Sequence, residues 1–349
     1  MAIPGTLHTM LGCIFQDSKK HQALRQRNQI NKILKMKKYF RFFIRFFLVL
    51  VISVCLFVLY KWIPFYIWKK ELISNLPGPS SLLQTEKGQI EYQIEGNSKD
   101  YILVFHGTPS SYQTEDYGDF VEQGFSIIRV SRPGYYRTQL SMGKTTCEQA
   151  DMFAQLLDSL GIDSVYVSAL SGGGPYALQF AIRHQERCRA LVLKATITKR
   201  EFVKSTPAMT LKQKFYWNTN FGNWINLNKY FKSIENKYYV EQYWKFLESG
   251  RFPLSASRSG MQNDEIQISN LPDLQLDKIK IPTLIVHGNR DINACFSHAE
   301  HANKKILNSN LMVLENDDHF FFFREYNDTI NRRIIDFLNE NRHKYGKLQ

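Results

Sequence analysis

Residues 46–60, FFLVLVISVCLFVLY, form an apolar run with no charge and no helix breaker. As a helix the run is about 22 Å long, at 1.5 Å per residue. A bilayer crossing takes roughly 17–25 residues. Reaching back to Phe42 gives 19 residues, with Arg45 extending its charge to the interface. Trp62, Phe65, Tyr66 and Trp68 follow, where an interfacial aromatic belt belongs. The pattern predicts an uncleaved anchor helix over 42–68 behind a basic segment over 1–41. Two other readings stay open. A cleaved signal peptide is disfavoured because no A-x-A-like site follows the run, and a buried core helix is the third reading. Met36-Lys37-Lys38 resembles the start of a signal-like segment, an alternative translation start.

Beyond Pro77-Gly78-Pro79 the pattern changes. Apolar or alternating runs recur at Gln89–Glu95, Tyr101–Phe105, Ser126–Val130, Val165–Leu170, Leu191–Ala195, Thr283–His287 and Leu311–Leu314. Amphipathic helical stretches fall between them, among them Thr146–Leu160 and Ile330–Asn341. Strands alternating with helices over this length predict an α/β fold, a mostly parallel sheet with helices on both faces. One insertion breaks the alternation, with about 85 residues between Ala195 and Thr283, far more than a crossover needs. Within it, residues 215–246 hold twelve aromatics in 32 positions. The expectation is a helical cap over 201–275, set between core segments 80–200 and 276–349. The cap either packs on its own aromatic core, walls a substrate pocket, or does both.

The net charge of +13 suggests nucleic acid until it is located. Residues 1–70 carry thirteen Lys and Arg against one acid, Asp17, whereas residues 71–349 carry 32 bases and 31 acids. A nearly neutral body lacks the basic patch that phosphate binding needs, so nucleic acid is not an expected partner. The five cysteines, Cys13, Cys55, Cys147, Cys188 and Cys295, form no CxxC pair and no zinc spacing, and no metal is expected. A single disulfide remains open for an exported body.

The segment Val165-Tyr-Val-Ser-Ala-Leu-Ser171-Gly-Gly-Gly-Pro-Tyr-Ala177 reads as strand, sharp turn and helix. Ser171 sits at the turn, with Ala169 and Gly173 two positions either side. Small residues are needed there because strand and helix backbones pass close together. This is the nucleophile-elbow pattern, with Ala in place of the first Gly. The same stretch fits G-x-G-x-x-A at Gly172, Gly174 and Ala177, a dinucleotide-binding pattern. That reading wants an acid at the end of the next strand. Leu191-Val-Leu-Lys-Ala-Thr supplies none, and no cofactor is expected.

A serine nucleophile needs a base, and the base an orienting carboxylate. Both follow in the order Ser, acid, His: Asp291 in His-Gly-Asn-Arg-Asp and His319 in Asp-Asp-His-Phe, each in a loop after a strand. Asp317 and Asp318 are the fallback acids. A fourth element, Leu103-Val-Phe-His106-Gly107-Thr108-Pro109, follows the expected third strand. Its loop is expected to supply an oxyanion donor, the N–H of Thr108, beside that of Gly172. His298 and His301 are spaced i, i+3 on an expected helix without a third ligand, and read as surface residues.

With HGTP at 106–109, SRPGY at 131–135, ALSGGGPYAL at 169–178, HGNRD at 287–291 and DDHF at 317–320, the chain resembles the α/β-hydrolase superfamily over about residues 80–343. The resemblance is to the branch with a His-Gly-x-Pro loop and a cap between strands six and seven. It implies a structural turn at Arg132-Pro133-Gly134. Epoxide hydrolases and haloalkane dehalogenases share the loop but use an Asp nucleophile, and here the position is Ser171, which implies acyl transfer.

These readings converge on a membrane-anchored serine hydrolase with the triad Ser171, Asp291 and His319. The expected substrate is an ester or lipid-like small molecule with an apolar acyl group, and His106, Pro109, Trp217 and Trp224 are expected at the pocket. Thioester, amide or peptide, and carbon–carbon hydrolysis on the same triad stay open, as does a silent binding protein. The basic residues before the apolar run predict a single pass, with the N-terminus cytoplasmic and the catalytic domain on the other side. The oligomeric state is not legible.

Overall fold

The computed structural model describes residues 5–75, 78–113, 117–200, 210–232 and 234–345, with side chains between residues 27 and 342. The side chains of Cys13, Lys19, Lys20 and Arg25 and the expected start of the cap at 201–209 lie outside what is described.

The chain divides into two units, Met1–Ile67 and Trp68–Gln349. The first is helical throughout its described length, the greater part of helix α1 (Gly5–Ser74). Its stretch from Arg27 onward contains an 18-residue window of mean hydropathy 2.9, none of it buried. By length and composition this helix is able to cross a membrane.

The second unit is built on an eight-stranded sheet: β1 (Ser81–Thr85), β2 (Gly88–Glu95), β3 (Tyr101–Phe105), β4 (Ser126–Val130), β5 (Val165–Leu170), β6 (Cys188–Lys194), β7 (Thr283–Gly288) and β8 (Ser309–Leu314). The order across the sheet is β1-β2-β4-β3-β5-β6-β7-β8. The β1–β2 and β2–β4 pairs are antiparallel and every later pair is parallel. The central strands are buried on both faces, which is why they read as continuous apolar runs. Successive residues serve opposite layers. Leu103, Phe105, Val167 and Leu193 join Phe153 of α3 (Thr146–Ser159) and Phe180 of α4 (Gly174–Arg183). Ile102, Val104, Tyr166 and Val192 join Phe120 of α2 (Gly118–Glu122) and Ile334 of α10 (Asn327–Tyr345). A capping box fixes the start of α3, where Thr145 accepts from the Glu148 N–H and Glu148 accepts from that of Thr145.

Among the described residues, four helices lie between β6 and β7: α5 (Leu211–Asn218), α6 (Asn220–Phe231), α7 (Lys237–Gly250) and α8 (Leu254–Ser269). Phe231, Leu247 and Phe252 form their core, with Trp68, Trp244 and Tyr243 packed against it. Helix α8 is seated on the turn after β4. The Gly260 N–H donates to the Gly134 carbonyl at 2.9 Å, and a Cβ on Gly260 would collide with the Tyr135 ring. The helix α9 (Ser297–Lys305) follows β7. It corrects one expectation. His298 is buried, its carbonyl accepting from the Thr198 hydroxyl at 2.7 Å and its Nδ1 from the Thr198 N–H at 3.2 Å. The packing of α9 against the segment after β6 covers it. Cys55, Cys147, Cys188 and Cys295 are free thiols.

Candidate active site

Strand β5 ends at Leu170 and the chain turns at Ser171, whose φ of 48° is left-handed. Non-glycine residues take that conformation rarely, and such strain clusters at functional sites. The turn is tight enough that a Cβ on Gly173 would collide with the Phe105 carbonyl and lie 2.7 Å from that of His106. Only glycine lets helix α4 start so close to the end of β3. A Cβ on Gly172 would sit 2.5 Å from Thr108 Oγ1 and 3.5 Å from the Thr108 nitrogen, so the two residues face each other.

Three parallel-strand ends bring Ser171, Asp291 and His319 together. His319 Nε2 lies 3.0 Å from Ser171 Oγ, and its Nδ1 lies 2.6 Å from Asp291 Oδ2. A carboxylate only accepts, so Nδ1 carries the proton and Nε2 is free to accept from the serine hydroxyl. Asp291 Oδ1 accepts the N–H groups of Asn293 and Ala294, both at 2.8 Å. His287 Nε2 donates to the Ala294 carbonyl at 2.7 Å and stands 3.2 Å from Asp291 Oδ2. Burial would raise the Asp291 pKa. Hydrogen bonds from His287, His319 and the Ala294 N–H outweigh it and hold the carboxyl well below the usual carboxylate range. The fallback acids are engaged elsewhere, Asp317 with Tyr326 and Asp318 with Arg324.

The expected pocket residues do not gather into one wall. His106 is buried rather than pocket-lining. Its Nε2 accepts the Arg132 N–H at 2.9 Å and its Nδ1 donates to the Gly107 carbonyl at 2.8 Å. The ring holds two loops together, and burial with the nearby Arg132 charge lowers its pKa to about 3. Pro109 is half-buried beside Thr108. Trp217 lies under the Arg251 guanidinium, 5.4 Å away, and Trp224 packs 6.4 Å from Trp68. The aromatics bordering the triad are others. Phe320 stands edge-on to His319 at 5.2 Å, and Tyr243 of α7 packs on Phe320 at 4.7 Å and on Phe323 at 5.3 Å. A cavity of about 590 Å³ opens beside Tyr117, Lys194, Phe246 and Phe322, lined neither by the triad nor by the four expected pocket residues.

Sequence reasoning passed over Asp264. This buried residue of α8 pairs with Arg132, which is itself fully buried, through Oδ1 at 2.8 Å and Oδ2 at 2.6 Å. Burial would raise its pKa, but the Arg132 charge and the hydrogen bonds of Arg132, Thr108 and Tyr135 hold it below the ordinary value. An arginine in a turn beside the site was the available signal. Its charge cannot be discharged, so a buried one requires a buried acid.

Comparison with known proteins agrees with this fold. The alpha/beta hydrolase fold family model matches residues 100–326. The chain is an α/β-hydrolase. It is 31% identical over 258 residues to the uncharacterized hydrolase YcgS of Bacillus subtilis (strain 168), an alignment covering 67% of this chain and 89% of that protein. It is 23% identical over 279 residues to 2-hydroxy-6-oxononadienedioate/2-hydroxy-6-oxononatrienedioate hydrolase 1 of Pseudomonas putida, covering 74% and 96% of the two chains. Among solved structures it is similar to an alpha/beta hydrolase fold protein of Nakamurella multipartita. That match has TM-score 0.61 and 27% identity, over 74% of this chain and 98% of that one. This α/β-hydrolase shares its fold with relatives that are named hydrolases.

The neutral His106 makes a pH prediction. Its pKa rises from about 3 in the folded chain to the ordinary 6.5 on unfolding. The unfolded chain therefore binds the proton first as pH falls. The stabilisation is complete above pH 6.5 and is lost progressively from there toward pH 3. Replacing His106 with Gln should flatten the acid side of the stability profile by up to about 1.4 kcal/mol per pH unit. Urea unfolding at pH 7, 5.5 and 4.5 reads the slope, and parallel wild-type and variant profiles would contradict the assignment.

Proposed function

We propose that this α/β-hydrolase cleaves esters with an apolar acyl group through an acyl-serine intermediate. The observation that carries it is the unbroken relay from Ser171 Oγ to His319 Nε2 at 3.0 Å and from His319 Nδ1 to Asp291 Oδ2 at 2.6 Å. Ser171 attacks the acyl carbonyl while His319 takes its proton. The N–H groups of Gly172 and Thr108 receive the oxyanion. His319 then protonates the leaving alcohol and activates a water that releases the acid. Asp291 holds the imidazole tautomer and balances the imidazolium charge. The ring surfaces of Phe320, Tyr243 and Phe323 beside His319 support an apolar acyl portion.

A second reading is supported by the similarity to the P. putida hydrolase. Its named substrate is a keto diacid without an ester, so its hydrolysis breaks a carbon–carbon bond. The same relay serves that chemistry, with a carbanion equivalent as the leaving group. The helix α1 supports a membrane anchor. Ten Lys and Arg lie between residues 19 and 45 against three, Lys61, Lys69 and Lys70, after the apolar run. That excess favours an N-terminus in the cytoplasm and the hydrolase unit across the membrane.

Two measurements test this reading. Asp291→Asn should fold normally yet lower kcat on p-nitrophenyl butyrate by about four decades, the cost of the wrong His tautomer. A rate within tenfold of wild type would remove Asp291 from the reaction. Protease added to sealed cells should digest the hydrolase unit. Digestion seen only after permeabilisation would reverse the topology.

A further inference from the structure

The carboxylate of Asp264 collects hydrogen bonds from the loop after β3, the turn after β4 and the start of α4. Thr108 Oγ1, from the loop after β3, donates to its Oδ2, as does the Tyr135 hydroxyl at 2.6 Å. The Tyr176 hydroxyl, on the first turn of α4 just past the serine turn, donates to Oδ1 at 2.7 Å. Arg132 occupies both oxygens and also donates to the His106 carbonyl at 2.9 Å and to Thr108 Oγ1 at 3.2 Å. One cap side chain thereby grips the Thr108 hydroxyl on one side and the helix that follows Gly172 on the other.

The attachment of α8 to the core does not depend on this grip. Gly260 N and Ser259 Oγ both donate to the Gly134 carbonyl, at 2.9 and 2.7 Å. Asn263 Nδ2 donates to the Lys144 carbonyl at 2.8 Å, and Tyr136 N to that of Ala256 at 2.5 Å. The helix is held at its other residues. What Asp264 adds is directional, since its Oδ2 fixes the hydroxyl of Thr108, the residue that faces Gly172.

We propose that Asp264 is a positioning residue for the reaction, setting the separation of the Thr108 and Gly172 N–H donors from within the cap. The inference rests on the proposed reading of those two groups as the oxyanion hole. Preorganised donors stabilise developing charge only when already aimed at it, and a misplacement of about 1 Å can cost on the order of a hundredfold in rate. The cap therefore sets transition-state stabilisation through Thr108, separately from any role in binding the acyl chain.

The test uses the full chain in detergent, with active sites counted by a fluorophosphonate and turnover followed on p-nitrophenyl butyrate. Phenylboronic acid serves as the tetrahedral mimic. The variants are Asp264→Asn, Thr108→Val and the double replacement. Thr108→Val keeps the backbone donor and the Arg132–Asp264 pair but cuts the link between them. Each single variant should lower kcat per titrated site about 10- to 100-fold and weaken phenylboronic acid by a similar factor, with KM within about twofold. The double variant should be no worse than the worse single one, as expected for two residues on one path. Per-site kcat within twofold of wild type, with only the titratable fraction or the melting temperature reduced, would make Asp264 purely structural and overturn the proposal. Should Asp264→Asn fail to fold, Thr108→Val alone decides by the same criterion. A wild-type chain that takes up no fluorophosphonate refutes the nucleophile reading, and this inference with it, whereas normal uptake with unaltered variants refutes the inference alone.

Discussion

The left-handed turn at Ser171 is a conformation that the surrounding structure must impose. A residue with a side chain gives up backbone stability to adopt it, on the order of 1–3 kcal/mol. The compensation is spread over the sheet. Strand β5 lies between β3 and β6, buried on both faces, so it cannot shift to relax the turn. Gly172 and Gly173 let the loop after β3 and the start of α4 close on the turn from either side. The Ser171 carbonyl is tied down by the Ile197 N–H at 3.2 Å. The hydroxyl is thereby presented to His319 at 3.0 Å, with Gly172 facing Thr108.

Asp291 and Asp264 are both buried carboxylates, held by different means. Asp291 is satisfied by two backbone N–H groups and two imidazoles, which keeps it ionised. Asp264 and Arg132 form a closed pair completed by two tyrosines and a threonine. Removing one member of such a pair strands a buried charge and costs about 3–5 kcal/mol. The first arrangement suits a group poised for chemistry and the second suits a clamp.

Much of this was readable from residue pattern because the central strands answer to a simple rule. β3, β4 and β5 begin and end where their apolar runs do, and the turn residues at 169–174 leave few alternatives. β1 escaped notice since Ser81–Thr85 is a short edge strand, mostly exposed and with no apolar run to mark it. His298 reads as a surface residue from its i, i+3 spacing with His301 and the lack of a third ligand, whereas it is buried against Thr198, a hundred positions away. Trp217 and Trp224 were reached by counting aromatics, which locates a cap but not which rings face the serine. Asp264 is one of two adjacent acids in α8, beside Glu265, and nothing local marks it. Only the burial of Arg132, a tertiary fact, singles it out.

The measurement that bears most directly on the account is the mapping of a covalent adduct. After treatment of the full chain with a fluorophosphonate and proteolysis, mass spectrometry should place the phosphonyl group on Ser171, at one group per chain. Replacement of Ser171 with Ala should abolish the adduct without altering the melting temperature by more than a few degrees. An adduct on another serine, or undiminished labelling of the Ala variant, would contradict the assignment of the strained turn as the nucleophile.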